Sequence, residues 1–67
     1  MNRKTFSIPR ISCGHCVRTI ERELASLAGV RRTEGDPGGK TVTVAWEPPA
    51  DEEAIRARLR EIGYPPA

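Results

Sequence analysis

Cys13 and Cys16, with only Gly14 and His15 between them, are the residues of this chain best suited to chemistry. A disulfide across so short a span would close a tiny loop and do little to restrain the unfolded chain. A secreted mini-protein of this length usually carries roughly four to eight cysteines as a framework. In a reducing compartment a C-x-x-C pair reads instead as metal-binding or redox-active. The thiolate is the reactive species in either case. Cys16 falls in or just before the first turn of a helix, where unpaired N–H groups and the helix dipole favour a negative sulfur. Arg10 and Arg18 flank the loop and add positive charge. Gly14 is expected to let the backbone fold tightly enough to point both sulfurs at one spot.

Counting ligands selects among ions. Structural zinc wants a tetrahedron of four ligands, and one chain offers Cys13, Cys16 and at most His15. Cu(I) is soft, suits thiolates, and is satisfied by two or three of them. Two thiolates around Cu(I) leave a residual charge of about −1, which a helix N-terminus and nearby arginines offset. So open a site exposes the ion to an incoming thiol, and transfer by stepwise ligand exchange needs no large rearrangement. Cu(I) is therefore the expected ion.

The elements around this loop follow from periodicity. Phe6 and Ile8 alternate with Thr5 and Ser7, predicting a strand over 4–9. Val17, Ile20, Leu24 and Leu27 recur at helical spacing, and Gly29 supplies the expected stop. A second strand over 30–34 is poorly patterned because Arg31, Arg32 and Glu34 interrupt it. Asp36-Pro37-Gly38-Gly39 is a strong turn signal. Beyond it Val42, Val44 and Trp46 form the apolar side of a clear strand. Pro48-Pro49 breaks that strand, and Asp51, Glu52 and Glu53 open a second helix with the stripe Ile55, Leu59, Ile62, ended by Gly63. After Tyr64 only Pro65-Pro66-Ala67 remain, so any last strand is a stub at a sheet edge. The order predicts an α+β sandwich with both helices on one face of the sheet.

Length and charge exclude much else. The 67 residues make one domain, 1–67, with no room for a second core or a large catalytic cleft. No stretch approaches the roughly 18 apolar residues of a membrane span. Eleven basic against nine acidic residues give a net charge of only +2, which supplies no nucleic-acid footprint. One Trp, one Tyr and one Phe leave little for stacking on bases. The two early charges Arg3 and Lys4 precede no apolar stretch, so the N-terminus does not read as a secretory signal, and a cytoplasmic, free-standing chain is expected.

The loop Ile11-Ser12-Cys13-Gly14-His15-Cys16, the helix over 17–27 and the late Gly63-Tyr64 pair resemble the heavy-metal-associated domain. The chain as a whole is similar to bacterial cytosolic copper chaperones. That resemblance covers nearly the whole sequence and implies a ferredoxin-like βαββαβ fold, here with its last strand truncated. It also implies delivery of Cu(I) to the metal-binding domain of a copper-transporting P-type ATPase, with a copper-sensing repressor as another recipient. Carried over by position, Cys13 and Cys16 match the metal ligands. His15 matches an outer or additional ligand, and Tyr64 an aromatic beside the metal. Ile11 departs from the family's usual Met, an apolar exchange that removes no ligand. Arg10 and Arg18 are the candidates for docking a partner.

Other readings set the comparison. A thiol–disulfide redox protein also uses C-x-x-C at a helix start, but this chain lacks the alternating βα units of thioredoxin-type domains. A carrier of Hg, Zn or Cd is a further alternative. Apo protein is expected to be monomeric, with a metal-bridged dimer open if two chains pool Cys13, Cys16 and His15. An enzyme is not expected, and Trp46 and the Arg56, Arg58, Arg60 group read as packing and a solvated helix face.

Overall fold

The structure is a computed structural model and describes residues 2–12 and 14–67. Along the chain it forms β1 (Asn2–Ser7), α1 (Gly14–Ala25), β2 (Val30–Asp36), β3 (Thr41–Trp46) and α2 (Glu52–Glu61). The sheet is antiparallel in the order β1-β3-β2. β3 takes the centre because it has the cleanest alternation: Val42, Val44 and Trp46 are buried on one face. Phe6 faces Val42 across one ladder and Gly35 faces it across the other. Both helices cover this face, adding Val17, Ile20 and Leu24 from α1 and Ile55 and Leu59 from α2 to the core.

Several boundaries differ from the periodicity. The first strand covers 2–7 rather than 4–9. Ile8 stays fully buried, but it already belongs to a turn: its N–H donates to the Lys40 carbonyl (2.8 Å) and its carbonyl accepts from the Ile11 N–H (3.1 Å). Pro9 has no N–H for a ladder, so the chain leaves the sheet there. The second strand runs on to Asp36, and a register shift between Val30 and Arg32 explains its poor alternation: an extra residue moves the side-chain phase.

α1 ends at Ala25, four residues before the expected glycine stop. Leu27 lies half-buried past the helix. Gly29 serves the entry to β2 instead. Its φ is +96°, and a Cβ there would collide with the Glu47 carbonyl.

α2 is framed as its sequence suggests. The Asp51 carboxylate accepts from the Ala54 N–H (2.7 Å) as N-cap. At the other end Tyr64 N–H bonds to the Leu59 carbonyl and Gly63 N–H to that of Arg60, with Gly63 at φ +88°. Among the described residues the place of the last strand of the ferredoxin-like order is marked by the Ala67 N–H donating to the Ser7 carbonyl at 2.7 Å. Pro65 and Pro66 have no donors with which to extend it. Among the described residues no helix is long and apolar enough to cross a membrane.

Candidate metal-binding loop

The loop is the chain's passage from β1 to α1. The turn through Pro9 and Arg10 reverses the backbone, and Ile11, fully buried, fixes the near end of the loop to the core. Ser12 then emerges exposed, and α1 begins at Gly14. Cys13 lies outside the described residues.

Cys16 is half-buried in the first turn of α1 and packs against the core cluster, as Tyr64 does from the opposite end of the chain. The first turn of α1 contains no acidic residue. Cys16 thus lies at a helix N-terminal turn that carries no acidic side chain. Ser12 Oγ stands 3.8 Å from Cys16 Sγ, within reach of an O–H···S contact. Sequence reasoning passed over Ser12. Its signal was a hydroxyl placed four residues before a first-turn cysteine.

Gly14 is the first helical residue and has open space where a Cβ would stand; the tight fold expected of it runs through Cys13, outside the described residues. His15 is exposed, and its carbonyl accepts from the Thr19 hydroxyl (3.2 Å) within the helix. Arg10 and Arg18 are exposed, and neither forms an ion pair among the described residues. The structure thus places Ser12 and Cys16 together, with His15, Arg10 and Arg18 on the exposed surface near them in sequence. Among the described residues no three His, Cys, Asp or Glu side chains gather as a metal cage.

A ferredoxin-like sandwich with a cysteine-bearing loop between its first strand and first helix defines a class of small metal-loop domains. Residues 5–65 match the family model of the heavy-metal-associated domain, and the chain belongs to that family. It is 34% identical over 59 residues to the COP-associated protein of Helicobacter pylori, covering 88% of this chain and 89% of that one. Among solved structures it is similar to apo-CopP from Helicobacter pylori, at 30% identity and a TM-score of 0.88, covering 98% of this chain and all of the other. It is also similar to the putative copper-ion-binding protein of Bacillus anthracis, at 28% identity and a TM-score of 0.90, covering 98% and 94%.

Proposed function

We propose that the chain is a copper chaperone: it binds Cu(I) between the thiolates of Cys13 and Cys16 and passes it by ligand exchange to the metal-binding domain of a copper-transporting P-type ATPase. The observation that carries this reading is the position of Cys16, half-buried in the acid-free first turn of α1 with the Ser12 hydroxyl at its sulfur. Membership of the heavy-metal-associated family and the similarity to a COP-associated protein support copper as the cargo.

In this mechanism the protein performs no bond-making chemistry beyond exchanging ligands on the ion, so it is a carrier and not an enzyme. The two thiolates hold Cu(I) at low coordination number. The helix N-terminus, Arg10 and Arg18 offset the residual negative charge. An incoming thiolate of the recipient adds to the ion, and a thiolate of this chain then leaves. The ion passes from two sulfur ligands through three and back to two, with no change in its oxidation state. His15 serves as an outer or additional ligand, Tyr64 shields the ion, and Arg10 and Arg18 steer an acidic recipient. The chain acts in the cytoplasm as a monomer when apo. A copper-sensing repressor is a second recipient of the same chemistry.

Handover tests the proposal. Chain loaded with Cu(I) is mixed anaerobically with the soluble metal-binding domain of a copper-transporting P-type ATPase, with a Cu(I) chelator present. Copper should redistribute between the two proteins faster than it is lost to the chelator. Exchange no faster than release to the chelator would overturn the chaperone reading. Rapid disulfide exchange with no copper retention would favour the redox alternative.

A further inference from the structure

β2 is an outer strand of the sheet by the order β1-β3-β2, while Asn2 and Ala67 both lie on the opposite, β1 side. The direction of its free edge is marked by Gly35, whose N–H turns away from β3 and donates to the Glu21 carboxylate (3.3 Å). The two-residue repeat of a strand turns the N–H and C=O of Thr33 the same way. Among the described residues no backbone group meets them. The Thr33 hydroxyl is also left over, since its oxygen is closed off from solvent and has no hydrogen-bond partner.

Side chains alternate along this edge. Thr33 and Gly35 lie on the helix face with the buried Val44 and Val42, and Arg32 and Glu34 lie on the outer face with Ala45 and Thr43. Arg32 Nε stands 2.6 Å from Glu34 Oε1, with the two side chains 73% and 55% exposed. The terminal guanidinium nitrogens and the second carboxylate oxygen are therefore left for another partner. We infer that the β2 edge joins a second copy of this chain, antiparallel and centred on Thr33, in a reversible dimer with one continuous sheet. Thr33 of each copy exchanges both backbone hydrogen bonds with the other. Beside this pair, Arg32 of each copy faces Glu34 of the other. The facing threonines share a hydroxyl hydrogen bond after a turn about χ1, as Thr5 and Thr43 do at 2.9 Å where they face each other across β1 and β3.

Charge selects both the occupant and the register. A centre on Arg32 or on Glu34 sets that charge against itself, and a centre on Gly35 sets Glu34 against Asp36. Like charges directly opposite are destabilising and opposite ones stabilising, so the Thr33 centre is favoured. Glu21 keeps the Gly35 N–H, and the register shifts between Val30 and Arg32, so the paired stretch is short and the dimer weak. The apo monomer is its dilute form. Ser7, which leads to the cysteine loop, and Asp36 both pair with Thr41, so antiparallel copies hold their loops at opposite ends of the interface. This dimer is independent of metal and distinct from one bridged through cysteines.

The test is sedimentation equilibrium of the full reduced chain with a metal chelator present. The average mass should rise from one chain toward two between about 10 µM and about 1 mM. At the upper end the Thr33 amide should exchange more slowly with solvent. Arg32→Glu and Glu34→Arg, exposed changes that keep the backbone, should each stay monomeric across that range. An equimolar mixture of these two variants should pair again, because each supplies the charges the other lacks. The double exchange Arg32→Glu with Glu34→Arg should restore the self-dimer, and Cys13→Ser with Cys16→Ser should leave it unchanged. A chain that stays monomeric throughout, a dimer indifferent to the single charge changes, a mixture no more associated than its components, or pairing that needs the cysteines would each overturn the proposal.

Discussion

Gly35 on β2 and Val17 on α1 meet so closely that a Cβ on Gly35 would collide with the Val17 side chain. Val17 follows Cys16 directly, so this contact sets how deeply the cysteine-bearing turn sits on the sheet. Val is stiff at χ1 and cannot swing aside cheaply. Gly35→Ala should therefore cost about 1–3 kcal/mol in urea unfolding and weaken Cu(I) binding by shifting the first turn of α1. Adding Val17→Ala should cost less than the sum of the two single changes, because the smaller side chain makes room. Strict additivity would mean that the contact does not position the helix.

Ile11 has the opposite character, since it is buried beneath the loop and carries no donor atom. Ile11→Ala should destabilise by about 2–5 kcal/mol through the cavity it leaves. Ile11→Met should cost less than about 1.5 kcal/mol. In both variants that remain folded, the number of copper ions bound per chain should be unchanged. A change in stoichiometry with Ile11→Met would give this position a ligand role.

Gly14 starts α1 with open space around it. Gly14→Ala should leave the fold intact and gain up to about 1 kcal/mol from helix propensity. Circular dichroism and thermal melting check it. A loss of stability would support the backbone role that the loop sequence suggests.

Acid should act through Glu52. Hydrogen bonds from Lys4 first and Arg56 second hold its carboxyl below its ordinary 4.5. A depressed carboxylate contributes stability that is complete above the unfolded value and lost as pH falls through the folded one. Unfolding measured from pH 7 downward should therefore be flat until about pH 4.5 and then fall. Glu52→Gln should make that fall shallower. The group is exposed to solvent, so the effect should be modest and should shrink in high salt.

Much of this molecule was legible because its strongest signals are periodic. Val42, Val44 and Trp46 alternate without interruption and became the central strand, and Asp51 before Glu52-Glu53 became a helix cap. The turn at Asp36-Pro37-Gly38-Gly39 joins β2 to β3 as read, with the Asp36 carboxylate accepting the Gly38 N–H. What failed did so where a local rule met a tertiary one. β2 looked irregular because its extra residue shifts the side-chain phase. Ile8 continued the strand pattern but is buried from a turn, since burial alone does not distinguish the two. Its residue type alone marks Gly29 as a helix stop, whereas the close approach of the Glu47 carbonyl is what requires a glycine there. In the site, the spacing of the cysteines is the sequence signal behind the proposed chemistry. The Ser12–Cys16 contact became visible only once the helix start was fixed at Gly14.

The central claim is that Cys13 and Cys16 together hold the cargo. Its most direct measurement is an anaerobic Cu(I) titration of the reduced chain against a competing chelator, run beside Cys13→Ser and Cys16→Ser and repeated with Zn²⁺. The account predicts one tight Cu(I) per chain, lost in either variant, and much weaker zinc. Undiminished Cu(I) binding in both variants, or a preference for zinc, would contradict it.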